Sequence, residues 1–310
     1  MKKIFAIIVS AALAAGAAFA QDLGEITELY NAAATALSSG DKAGAFTSFQ
    51  QALEQATALG ADGEEIAAKC KDIIPTLAVS LAKEAAKGGE YDSAIEQLQK
   101  AAELALQYGN EDAATDAKEL LPQVAIQKGS KLLSAKDFAA AAEAFKQALA
   151  FDPANGMAAL RLGMALSSSG DYDGALEALA LAAENGQKEG ADKQIASVYL
   201  KQASASLKAK KFAEAVEFAQ KAIEINPSAQ AYQVAGQASQ ISGKNTDAIG
   251  YFEKYLELSP NAKNAGQIAY TLGALYQQSQ NNAKAKEYYT KALSDPKFGA
   301  EAKKMLDALK

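Results

Sequence analysis

The chain has 310 residues, 73 of them alanine, with no histidine, no tryptophan, one cysteine (Cys70) and a formal charge of −6. Without histidine there is no Ser-His-Asp triad, histidine metal site or imidazole proton shuttle, and one cysteine forms neither an internal disulfide nor a Cys-rich zinc site. An acidic chain with Arg161 as its single arginine is expected to be a poor partner for nucleic acid or anionic lipid, which need clustered cations.

Residues 1–20 read as a removable export signal. Lys2 and Lys3 precede an apolar run, and Ala18-Phe19-Ala20 is an A-x-A cleavage site, so Gln21 starts the mature chain. The run is short for a membrane anchor and ends in small residues. A lipoprotein would need cysteine where Gln21 stands. The expectation is export by a bacterial Sec-type signal to the periplasm, the cell surface or beyond, with no membrane insertion afterwards. Cleavage takes the formal charge from −6 to −8. In an exported chain Cys70 is an odd thiol, either a small buried apolar residue or half of an intermolecular disulfide.

From there the chain repeats itself. Gly40-Asp41-Lys42-Ala43-Gly44-Ala45-Phe46, Gly89-Glu90-Tyr91-Asp92-Ser93-Ala94-Ile95 and Gly170-Asp171-Tyr172-Asp173-Gly174-Ala175-Leu176 share one pattern. A glycine closes one helix in the left-handed conformation, an acidic residue caps the next, and alanine opens its apolar face. Large and small residues follow three apart, as in Phe49/Ala52, Leu98/Ala101, Phe145/Ala148, Leu179/Ala182 and Tyr289/Ala292, and Pro153, Pro227 and Pro260 then stop the helix. Upstream, Gly129, Gly163, Gly236 and Gly273 mark a second helix where two helices must approach closely. Between 21 and 121 the period is longer. There Lys71-Asp72-Ile73-Ile74-Pro75 matches Lys118-Glu119-Leu120-Leu121-Pro122, with each proline expected to start a helix.

This multi-position pattern resembles the tetratricopeptide repeat, a unit of 34 residues and two helices with small residues at positions 8, 20 and 27. The resemblance covers about seven units, beginning near Ile26, Pro75, Pro122, Gly156, Ala196, Ala229 and Gly266. It implies an all-α, right-handed superhelical solenoid of antiparallel helix pairs. The organisation is then a signal at 1–20, two long-period units at 21–121, five units at 122–299 and a capping helix at 300–310. The family's tryptophan at position 4 is replaced by Tyr199 or Tyr232 at best. In the fifth unit Ala219 stands where a large residue belongs, with Phe218 the candidate to take its place.

Enzyme signatures are thin. The pairs Glu64/Glu65, Glu111/Asp112 and Asp171/Asp173 fall at expected turns and read as caps, and Asp171-Tyr172-Asp173-Gly174 lacks the remaining calcium ligands. No phosphate-binding or nucleophile-elbow motif occurs, so a non-catalytic protein without cofactor or metal is expected. What remains is a surface. The resemblance implies a groove lined by first helices, holding a protein or peptide. Carried over residue by residue, it would show Gln230, Gln233, Gln237, Gln240, Gln267, Tyr270, Gln277 and Gln278, with Val234, Ile241, Thr271 and Ala274 between them. Amides both donate to and accept from a peptide backbone, and Tyr270 is a candidate anchor. Arg161 and Lys201 fall at position 6 of adjacent units, with Lys208 nearby, and could grip a carboxylate. The family's carboxylate clamp is missing, because Ile126 and Ser130 occupy its lysine and asparagine positions. The expected function is an exported scaffold that binds a protein or peptide segment in this groove. The alternatives are a self-assembling envelope protein that uses the long N-terminal helices, or an accessory subunit of an envelope-assembly or export machine. Oligomeric state is left open.

Overall fold

The computed structural model describes residues 23–309, and the export-signal reading, with its cleavage point at Ala20 and Gln21, lies outside them. Among the described residues every regular element is a helix. Seven antiparallel pairs follow one another: α1 (Leu23–Ser38) with α2 (Lys42–Ala58), α3 (Glu64–Lys87) with α4 (Tyr91–Tyr108), α5 (Glu111–Ser134) with α6 (Phe138–Phe151), α7 (Gly156–Ser169) with α8 (Tyr172–Ala182), α9 (Lys188–Lys208) with α10 (Phe212–Ile225), α11 (Ala229–Ile241) with α12 (Asn245–Leu258), and α13 (Ala265–Gln278) with α14 (Asn282–Ala292). A last helix, α15 (Gly299–Ala308), lays Met305, Leu306 and Leu309 on the core of the final pair. The pairs form two compact units that part between Pro153 and Ala154. The first unit holds α1–α6 and the second α7–α15.

One spacing explains the pairing. A small residue of the first helix meets the residue sixteen positions later on the second. The pairs are Ala33/Phe49, Ala82/Leu98, Gly129/Phe145, Gly163/Leu179, Ala203/Ala219, Gly236/Phe252 and Gly273/Tyr289, and all fourteen residues are buried. At four positions the small residue is obligatory. A methyl group placed on Gly129, Gly163, Gly236 or Gly273 would stand 2.5 to 2.7 Å from its partner's side chain. The large residue therefore lies directly on the backbone of the facing helix, which sets a close approach. In the fifth pair Phe218 does not move into Ala219's place. Ala219 itself is fully buried, opposite Ala203, while Phe218 lies half-buried against Tyr199 with ring centroids 6.3 Å apart. Small on small replaces small on large.

The turns within pairs are as regular. Each carries one residue of positive φ: Gly40, Gly89, Lys136, Gly170, Lys210, Gly243 and Gln280. The following residue often caps the second helix, as Asp41, Asp137, Asp171 and Asn281 do through side-chain acceptors. The chain thus uses a left-handed closure even where a side chain makes it costly.

Pro75 and Pro122 do not start helices; they lie buried inside α3 and α5. The repeated segment before each proline lengthens the first helix of its pair. A proline inside a helix leaves the carbonyl four residues earlier, Lys71 for Pro75, without its helical donor, and the next carbonyl, Asp72, is bonded by Asn110. Its Nδ2 donates to the Asp72 carbonyl at 2.8 Å, while its Oδ1 accepts from the Ala113 amide at 2.9 Å as the N-cap of α5. One side chain joins the two long helices. Cys70 is completely buried in α3, and desolvation pushes its thiol up to about 11. It therefore serves as a packed apolar residue and is poorly placed for an intermolecular disulfide.

Candidate functional site

In the second unit, α7 touches α9 and α9 touches α11, whereas no two second helices there pack together to a comparable degree among the described residues. The first helices therefore line the tighter face of this unit. The contact is direct at one groove pair: Lys201 Nζ donates to Ser167 Oγ at 2.8 Å and to the Ser167 carbonyl at 3.3 Å. Ser167 is neutral, so this contact positions the ammonium without pairing it with an opposite charge. Arg161 lies half-buried one helix back, on α7, and makes contacts of its own. Lys208 is exposed in the last turn of α9.

The glutamines divide into two groups. Gln230, Gln240 and Gln267 are exposed and Gln233 and Gln237 half-buried. These side chains face solvent along α11 and the start of α13. Two others are already engaged: Gln277 accepts from the Tyr289 hydroxyl at 2.8 Å, and Gln278 accepts from Asn245 Nδ2 at 3.2 Å. Tyr270 is not a free anchor. Its ring packs 5.6 Å from Tyr289 and 5.4 Å from Phe298, which makes it part of the last core. Val234 is buried and faces the core, so it does not line the groove. Ile241 is 60% exposed, and Thr271 and Ala274 are half-buried.

Two features escaped the sequence reading. The first is a carboxylate shared by two phenols: the hydroxyls of Tyr276 and Tyr288 both donate to Glu253 Oε1, at 2.7 and 2.8 Å, and the two rings stack 5.6 Å apart. Desolvation and this bond push Tyr276 up to about 12 and raise Tyr288 further. The network ties α12 to α13 and α14. It joins residues 23 and 35 positions apart, and no local pattern signals such a contact. The second is visible in the sequence once residues are sorted by helix. α7, α11 and α13 contain no acidic residue at all, and α9 has only Glu189 and Asp192, each paired with a lysine of the same helix. The second helices α8, α10, α12 and α14 hold nine carboxylates between them. The first unit lacks this segregation, with ten carboxylates on α1, α3 and α5.

No group of histidine, cysteine, aspartate and glutamate able to hold a metal ion occurs among the described residues, and no described helix is long and apolar enough to cross a membrane. Stacked antiparallel pairs with a small-on-large contact in each define a helical repeat protein. Family models described as tetratricopeptide repeat match residues 132–201, and then 196–228, 229–262 and 266–294, together just over half of the chain. The chain belongs to the tetratricopeptide-repeat family. No curated protein sequence matches it. Among solved structures it is similar to a MamA protein at 24% identity, covering 59% of this chain and 96% of that one with a TM-score of 0.41. It is also similar to YrrB, described as a TPR protein with an unusual peptide-binding site, at 22% identity, over 58% of this chain and 91% of that one with a TM-score of 0.38. The pilF protein of Pseudomonas aeruginosa is similar at 18% identity, over 62% and 90% of the two chains with a TM-score of 0.35.

Proposed function

We propose that the protein is an exported, non-catalytic interaction scaffold whose second unit binds an extended segment of another protein along α7, α9, α11 and α13. The observation that carries this reading is the row of amides on α11. Gln230, Gln233, Gln237 and Gln240 reach solvent, and Gln233 and Gln237 make no side-chain hydrogen bond to the described residues. Such amides satisfy the donors and acceptors of an extended backbone without demanding a particular side chain. The stacked pairs order this surface before binding, so little conformational entropy is lost there on association. Family membership supports a protein or peptide as the partner class. The export half of the reading rests on the sequence of residues 1–20.

The test is site-specific photo-crosslinking in the producing bacterium. A photo-reactive residue at Gln237 should give a discrete adduct, and one at Lys286 on the outward face of α14 should give none. Adducts from Lys286 alone would overturn the groove assignment. The mass of the protein recovered outside the cytoplasm should correspond to a chain beginning at Gln21, and retention of Met1 would overturn the cleavage.

A further inference from the structure

The charge of the groove differs from that of the chain around it. Over α7, the body of α9, α11 and α13, the charged side chains are Arg161, Lys201 and Lys208, plus the α9 lysines already neutralised by Glu189 and Asp192. Arg161 has contacts of its own, so Lys201 and Lys208 are the cations of this face without a carboxylate partner, on a chain of formal charge −6. Among the second helices, α8, α10 and α12 carry eight carboxylates against Lys221 and Lys254, whereas α14 has Glu287 against Lys284, Lys286 and Lys291. The three cations sit on α7 and α9, and the uncharged amides sit on α11 and α13, so the face has a charged half and a neutral half.

We propose that the partner of this groove is an acidic protein segment, with its side-chain carboxylates over Lys201 and Lys208 and an adjoining uncharged stretch over the glutamines of α11. This rests on the groove reading above and specifies its ligand. Lys201 is already positioned by Ser167, so little side-chain freedom is lost when a carboxylate arrives. Outside the groove, the net acidic helices α8, α10 and α12 repel the same segment. The charge pattern thus selects the face as well as the partner. Nucleic acid, the other polyanion, would need clustered phosphate contacts that three cations do not supply.

The experiment uses the full chain and two fluorescent peptides with blocked ends, one of alternating glutamate and serine, the other with glutamine for glutamate. Anisotropy titrations are run at about 0.01 M and about 0.15 M ionic strength, over which the screening length falls from about 30 Å to about 8 Å. The glutamate probe is expected to bind about tenfold tighter than the glutamine probe at low salt, with the advantage shrinking at higher salt. Lys201→Glu/Lys208→Glu removes about tenfold of that affinity, while the control Lys286→Glu/Lys303→Glu, on exposed lysines outside the groove, changes it less than about twofold. Circular dichroism establishes that both variants fold. Equal binding of the two probes, equal loss in the control variant, or tighter binding of single-stranded DNA than of the glutamate probe would overturn the proposal. A glutamine probe that binds and is lost in Gln233→Ala/Gln237→Ala, beside a glutamate probe with no advantage, would leave the groove reading standing and remove only the acidic partner. A glutamate probe with a free C-terminus that alone binds would assign the cations to a chain end and overturn the side-chain proposal.

Discussion

The sixteen-residue rule makes one substitution act in opposite directions at two sites of the same helix pair. In α11, a methyl on Gly236 would lie 2.7 Å from Cδ1 and Cε1 of Phe252 and 3.1 Å from Cζ. Ordinary carbon contacts are about 3.5–4.0 Å. Phe252 is 1% exposed and has no open side to move into. Gly236→Ala therefore gains up to about 1 kcal/mol in helix propensity and loses about 1–3 kcal/mol to overpacking. The net expectation is a loss of up to about 2 kcal/mol. Gly250, in the interior of α12, has nothing within 4 Å of an added methyl. Gly250→Ala keeps the gain without the clash and should stabilise by about 0.5–1 kcal/mol. At about 2–4 °C per kcal/mol, the two variants should differ in melting temperature by several degrees, on opposite sides of the parent. Urea unfolding followed by far-ultraviolet circular dichroism gives the comparison, with midpoint and slope both reported, because stacked repeats can unfold in stages. A Gly236→Ala variant as stabilised as Gly250→Ala would refute the close approach and the packing rule built on it.

Three further outcomes follow from the packing and the titration. Ala219→Leu forces bulk against Ala203 and should cost about 1–3 kcal/mol, with part regained in Ala203→Gly/Ala219→Leu; denaturant midpoints that show no coupling between the two sites would contradict the pairing. Asn110→Asp keeps the cap of α5 but loses the donor to the Asp72 carbonyl and sets a carboxylate beside it, so it should destabilise by about 1–2 kcal/mol, as Asn110→Ala does; a thermal melt in which Asn110→Asp is neutral would show that the bridge between α3 and α5 carries no stability. Tyr276 and Tyr288 hold their protons more tightly in the folded state, so their contribution is complete below the ordinary tyrosine value of about 10 and is lost as pH rises through the raised values. Alkaline unfolding should therefore steepen above about pH 10 and flatten in Tyr276→Phe/Tyr288→Phe, and an unchanged profile in that variant would contradict the shared Glu253 contact.

The helix pairs were legible because their signals are local. A small residue, a turn and a large residue recur within one pair, and Gly129, Gly163, Gly236 and Gly273 read as crossing points before any coordinates. The interior prolines misled because proline both starts and interrupts helices. Nothing near Pro75 reveals that Asn110, 38 positions from Asp72, joins α3 to α5 beside the interruption. The candidate face was partly legible. Face position placed Gln233, Gln237 and Lys201 on solvent-reaching surface of first helices, but it does not show that Val234 turns to the core, or that Tyr270 is enclosed by Tyr289 and Phe298. The acidic segregation was present in the residue order and became visible only when residues were assigned to first and second helices.

The most direct measurement is amide hydrogen exchange of the full chain with and without the glutamate probe. Protection should rise on α7, α9 and α11 and stay unchanged on α8, α10, α12 and α14. Protection confined to the second helices, or spread evenly over both sets, would contradict the assignment of binding to the first-helix face.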